Sequence, residues 1–171
     1  LQESIWGQLF DLAEERNIKK VFHLGDMVHA RKAQPLEVLE HLVWVKRCLL
    51  DRGLDFTGIC GNHDKVSLES FFAYPSLYDS NEFKIVDKTY SLSINDNLSV
   101  WFMSYFPETT TAPKILKEVS EMVDTNKINI LCSHQGVNGG LSHDNATINK
   151  ELPTEAFKVF NLTLLGHYHN A

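Results

Sequence analysis

Four short polar clusters punctuate the sequence: GDMVH at residues 25–29, GNHD at 61–64, SH at 133–134 and GHYH at 166–169. Together they offer a carboxylate (Asp26), an amide oxygen (Asn62) and three imidazoles (His134, His167, His169). That sulfur-free donor set suits borderline to hard divalent ions such as manganese, iron or zinc. A carboxylate can bridge two ions, whereas an imidazole nitrogen holds one. Asp26 is therefore the natural bridge of a two-ion site, the arrangement that clamps the attacking and leaving oxygens in phosphoryl displacement. Taken singly, Asp26 or Asn62 reads as a turn cap; beside three convergent histidines, it reads as a ligand.

Convergence requires elements that end in the same place, and the apolar patterning supplies them. Ile5, Trp6, Leu9, Leu12 and Ala13 recur at helical spacing within residues 3–16, and Leu36, Leu39, Leu42, Val43 and Leu49 do so within 35–52, a segment opened by Pro35 and closed by Gly53. Short apolar runs at 21–24, 54–60, 128–134 and 162–165 read as buried strands, and each delivers one cluster at its end. Residues 68–78 read as a short helix or loop, and 114–123 as a third helix. Three β-type runs at 83–86, 90–94 and 99–103, with NDN at 95–97 as a turn, predict a meander. Alternating strands and helices give an α/β class with a largely parallel or mixed sheet. In such sheets ligands bind beyond the carboxyl ends of the strands. Gly25, Gly61 and Gly166 allow the backbone to turn or approach closely there.

Composition narrows the function. The 171 residues are 43% hydrophobic and 22% charged, ordinary for one folded domain. The formal net charge of −6 gives no bulk attraction to a polyanion, so nucleic-acid binding would need local cations, metal ions or a partner. No apolar run is long enough to cross a bilayer, and Cys48, Cys60 and Cys132 are odd in number and set among apolar neighbours. The expectation is a soluble protein of a reducing compartment with free thiols and no membrane: cytoplasmic, in the host cytoplasm if phage-encoded, or nuclear if eukaryotic.

The four motifs, in this order and at these intervals, resemble the calcineurin-like metallophosphoesterase superfamily. The likeness runs from Val21 to His169. It implies a metallophosphoesterase-type β-sandwich flanked by helices. The protein phosphatases of that superfamily carry Asp-Arg-Gly after their GD and GNHE later, whereas here Asp26 is followed by MVHARK and the later motif is GNHD. The spacing of GDMVHARK and the FPE loop at 106–108 are more similar to the SbcD and meiotic-recombination nucleases, including the small subunits of phage recombination endonucleases. That likeness implies an enzyme that cuts DNA ends in recombination and double-strand-break repair. It also implies two divalent ions, manganese foremost with iron, zinc or magnesium as alternatives, an SbcC-type SMC-like ATPase partner and a possible homodimer.

Carried over by position, the resemblance makes Asp26 the bridging ligand, with Asn62, His134 and His167 on one ion and His169 on the other. His63 becomes the catalytic imidazole, Asp64 holds the imidazole or its loop, and His29 orients His63 or steers DNA. A phosphatase or small-molecule phosphodiesterase, or a scaffold subunit without catalysis, are the alternatives. Family members begin with a strand ending in Asp-x-His, and no such triplet occurs here. The expectation is a catalytic domain over residues 1–171 that is truncated at both ends, its first metal-binding strand and its C-terminal capping region lying outside. Of the other side chains, His23, His41, Trp44 and Trp101 are expected to pack, and His143 to be solvated. Arg31 and Lys32 are placed where they could overhang the site.

Overall fold

The computed structural model describes residues 2–140, 147 and 151–168. Its elements follow the alternation of the sequence. Helix α1 (Gln2–Glu15) leads to β1 (Lys20–His23), α2 (Leu36–Asp51) to β2 (Asp55–Ile59), and a 3-10 helix (Tyr74–Tyr78) to β3 (Phe83–Val86). A hairpin of β4 (Thr89–Asn95) and β5 (Leu98–Met103) comes next, then α3 (Ala112–Met122), β6 (Ile128–Ser133), a second 3-10 helix (Thr154–Phe157) and β7 (Leu162–Leu165).

The strands form two sheets, β1-β2-β3 with all pairs parallel, and β4-β5-β6-β7 with only the first pair antiparallel. The expected three-stranded meander is therefore corrected: β3 leaves the hairpin and pairs with β2, Phe56 opposite Phe83. Burial explains the difference. Phe83, Ile85 and Val86 of β3 are all buried, as a strand covered on both faces requires, whereas β4 is mostly exposed and suits an outer hairpin strand. The NDN turn forms as read, with the Asn97 N–H donating to the Asn95 side chain at 2.9 Å.

Side-chain alternation builds the layers. On β5, Val100 and Phe102 face the first sheet and meet Ile59 and Val86, while Trp101 and Met103 face outward onto Ile115, Leu116 and Val119 of α3. The rings of Phe22 and Phe102 lie edge to face across the two sheets, 5.2 Å apart. On the far side of the first sheet, Phe56 and Phe83 stack at 4.4 Å beneath Phe10 and Ala13 of α1 and Val45 and Leu49 of α2. The result is a four-layer sandwich, helices on sheet on sheet on helix. Cys60 and Cys132 are buried free thiols and Cys48 is half-buried. Among the described residues no helix is long and apolar enough to cross a membrane.

Candidate metal centre

Because β1 and β2 belong to one sheet and β6 and β7 to the other, the polar clusters at their ends meet across the sandwich. His134, fully buried just past β6, sets the geometry. Its Nδ1 lies 2.6 Å from the Leu24 carbonyl oxygen, which can only accept, so Nδ1 carries the proton. Nε2 then turns its lone pair toward Asn62 Oδ1 at 3.2 Å and Asp26 Oδ2 at 3.3 Å. Three acceptors so close together repel one another unless a cation lies among them. This is also the arrangement in which a ligating histidine is oriented through its other ring nitrogen. The His167 ring stands edge-on to His134, 5.2 Å away, and its Nδ1 is buried with no hydrogen-bond partner among the described residues. His169, like His143, lies outside the described residues. Among the described residues no set of three or more His, Cys, Asp and Glu side chains is gathered as a ligand cluster; the group that converges depends on the Asn62 amide.

His63 sits on the rim of this group. Its backbone N–H donates to Asp26 Oδ1 at 2.9 Å, and its Nδ1 lies 2.7 Å from the His29 carbonyl, which leaves Nε2 directed away from that anchor. The exposed His29 ring stacks on His63 with centroids 5.1 Å apart. His29 thus contacts His63 through both its backbone and its ring.

Asp64 is placed differently from His63. It is fully buried, and its carboxylate accepts the N–H groups of Gly61 at 2.7 Å, Asp26 at 2.8 Å and Val28 at 3.0 Å. Grouped with His63 and His29 as catalytic on the sequence, it makes bonds that, of the two tasks considered for it, have the geometry of a loop clasp, joining the β1 and β2 loops. Close approach demands the neighbouring glycines. A Cβ on Gly25 would lie 2.5 Å from His134 Nδ1, and one on Gly61 would overlap the Asp26 carboxylate. Gly25 also holds φ +94°, and Asp26 itself sits at φ 57°, a left-handed conformation that aspartate tolerates better than most residues.

The charges are coupled. Burial alone would raise the Asp26 carboxyl, but the His134 imidazole beside it and the His63 N–H hold it below the usual carboxylate range. Burial would likewise lower His134, yet the Asp26 carboxylate outweighs it and raises the imidazole. Burial and the neighbouring His134 lower His167. Asp64 is pushed up to about 6 by burial, against the pull of its N–H donors. His23, expected to pack, does so between Trp6 and Phe56, accepts the Gly25 N–H at 3.2 Å and is lowered to about 4 by burial and then by His134. His41 stacks on Trp44 at 5.2 Å, and Trp101 is buried with its indole N–H on Asn129 at 2.9 Å.

The sequence matches the family model described as calcineurin-like phosphoesterase over residues 3–171. The chain belongs to the calcineurin-like phosphoesterase family. It is also 26% identical over 166 residues to the DNA double-strand break repair protein Mre11 of Sulfolobus acidocaldarius, a match that covers 95% of this chain and 42% of that protein. The chain thus spans about two fifths of the length of that curated relative. Calcineurin-like phosphoesterases use divalent metal ions. The residues present fit such ions: an acceptor-lined space at Asp26, Asn62 and His134, and beside it the nitrogen of His167 that has no partner among the described residues.

Several residues that shape the phosphoesterase site escaped the sequence reading. The Tyr105 ring stacks on His167 at 6.1 Å and its hydroxyl donates to Glu108, which also accepts the Gly136 N–H. Tyr168, the residue between the two histidines of GHYH, accepts the Val137 N–H and donates to Glu151, both at 2.6 Å. Lys65 is fully buried; its Nζ donates to the Tyr105 carbonyl at 2.6 Å and lies 3.9 Å from the centre of the Phe106 ring. Burial lowers Lys65 to about 8. Only Tyr168, fixed in position between two candidate ligands, carried a signal in the sequence.

Proposed function

We propose that this chain is the core of a metal-dependent phosphodiesterase that acts on DNA, a nuclease that processes DNA ends in recombination and double-strand-break repair. The observation that carries the reading is the acceptor triangle of Asp26, Asn62 and His134 with His63 fixed at its rim. Family membership and the printed name of the archaeal relative support it. In this reading Asp26, Asn62, His134 and His167, with His169, hold two divalent ions, manganese foremost. Bound there, the ions supply Lewis-acid charge at the phosphate and activate the attacking water.

The chain's own residues supply the rest. His29 holds the proton on His63 Nδ1, so Nε2 is the atom that meets a phosphate oxygen or returns a proton to the departing sugar oxygen. Asp64 keeps the β1 and β2 loops in register, and with them the separation of His63 from Asp26. An SMC-like ATPase is the partner this reading implies. A homodimer contact would use the exposed apolar pair Ile5 and Leu12, seven residues apart and hence on one face of α1.

The test is His63→Ala in a manganese-dependent nuclease assay, with metal content measured alongside. Turnover should fall about 100- to 10,000-fold while bound metal is retained. Activity equal to the wild type would remove His63 from the mechanism. The net charge of −6 favours a second reading, a phosphatase or small-molecule phosphodiesterase. Hydrolysis of mononucleotides or cyclic nucleotides with none of DNA would decide for it.

A further inference from the structure

Between Asp64 and the 3-10 helix Tyr74–Tyr78 the chain makes a loop that ends where it began: the Tyr74 N–H donates to the Asp64 carbonyl at 3.0 Å. The base of the loop is fixed by two buried residues, Lys65 and Ala73. Its tip nevertheless carries two adjacent phenyl side chains in the open, Phe71 at 49% and Phe72 at 54% exposure. They are not loosely held. Phe71 leans on the buried Phe106 at 5.3 Å, and the Phe72 N–H donates to Ser70 Oγ at 3.1 Å. The Lys88 ammonium lies 5.8 Å from the Phe71 ring centre. Phe106 follows the carboxyl end of β5 and Lys88 precedes its hairpin partner β4, so the pair sits at the end of the sandwich that carries His134 and His167. Phe72 is two residues from Tyr74, hence within about 7 Å of the backbone bonded to Asp64.

We propose that Phe71 and Phe72 form a stacking platform for unpaired nucleobases of a strand whose phosphate lies at His63, so that the substrate is single-stranded or frayed nucleic acid; this rests on the nuclease reading above. A flat aromatic surface with a cation beside it accepts any base, because every base has a π face. Paired and stacked bases inside a duplex offer no such face. The overall charge gives the platform its purpose. With a net charge of −6 the chain cannot hold a polyanion by bulk attraction, so local cations and stacking must supply the affinity. Arg31 and Lys32, two and three positions beyond His29, and Lys88 are the cations this proposal assigns to the phosphates. A partner protein or a second copy of this chain are the competing occupants of the same apolar tip.

The experiment compares wild type, the double variant Phe71→Ala with Phe72→Ala, and Phe72→Trp. Each is tested against a fluorescent single-stranded oligothymidylate, the same strand with its bases removed at the bound end, and a blunt duplex. The double variant should bind the intact strand about 5- to 150-fold more weakly for each base lost from the platform. It should bind the abasic strand as the wild type does, and Phe72→Trp should keep wild-type affinity. Unchanged affinity of the double variant for the intact strand, or an equal loss on the abasic strand, overturns the platform. A change in oligomeric state on size exclusion without a change in strand affinity also overturns it and assigns the tip to a protein contact. A wild type that hydrolyses mononucleotides and binds no strand ends the nuclease reading, and the platform with it. Strand cleavage with unchanged variant affinity ends the platform alone.

Discussion

Replacing Asp64 with asparagine isolates the clasp between the β1 and β2 loops. With a pKa of about 6 the carboxylate is ionised at pH 7.5, where Oδ2 accepts from Gly61 and Asp26 and Oδ1 from Val28. An asparagine of nearly the same volume can keep its oxygen on the first two donors, but its NH2 must then face the Val28 N–H, now 3.0 Å from Oδ1. Stranding one buried donor costs about 1–3 kcal/mol, and the two surviving bonds weaken from charge-assisted to neutral strength. The expected loss is about 2–4 kcal/mol, a large part of the roughly 5–15 kcal/mol that holds an ordinary domain. In urea, with a slope of about 1–3 kcal/mol per molar, the midpoint should fall by at least about 0.7 M. Metal content should fall in parallel, because the bond that tethers the Asp26 backbone weakens from charge-assisted to neutral strength. A variant within about 0.5 kcal/mol of wild type, below any of the mechanisms that make substitutions severe, would refute this reasoning. It would mean that the desolvation which raises Asp64 cancels the bonds it makes.

Other perturbations probe the same end of the sandwich. Gly25→Ala should cost about 1–3 kcal/mol for its backbone alone and also displace His134, seen as a lower melting temperature with reduced metal content; a fully metallated variant would count against the close approach. His23 is held at about 4 when folded and lies near 6.5 when unfolded, so the unfolded chain takes the proton first and stability falls as pH drops through that window. His23→Gln, which keeps an acceptor for the Gly25 N–H, should flatten the change in urea midpoint between about pH 7 and 5, and an unaltered slope would exclude His23 as its source. Iodoacetamide should label Cys48 in the native protein and spare Cys60 and Cys132, both fully buried and both raised by burial, Cys132 to about 11; modification of either, read by mass spectrometry, would contradict the packing.

The helices and strands were legible because burial leaves a period in the sequence. Leu42 and Leu49 of the predicted stripe mark the inner face of α2, joined there by Val45 while Leu36 is exposed, and the run at 83–86 matches β3. Partnership between strands leaves no such mark: the runs at 83–86, 90–94 and 99–103 look alike, and only burial on both faces separates β3 from the hairpin. Asp26, Asn62, His134 and His167 were legible because their residue types are costly to bring together without a purpose. The clasp of Asp64 and the bridge from Lys65 to Tyr105 were harder to see. Both depend on backbone groups from distant segments, and a backbone N–H or carbonyl has no letter of its own in the sequence. A buried lysine in particular is spelled like a solvated one.

The order of the chain has a consequence for when activity can arise. The first sheet is complete at Val86, before the second begins at Thr89, yet its half of the site, Asp26 and Asn62, has nothing to face until β6 and β7 dock and bring His134 and His167. During synthesis the first half can fold against α1 and α2 while the chain is still being made. The candidate metal centre is then withheld until the last described strand closes, so that no half-folded nascent chain carries it whole.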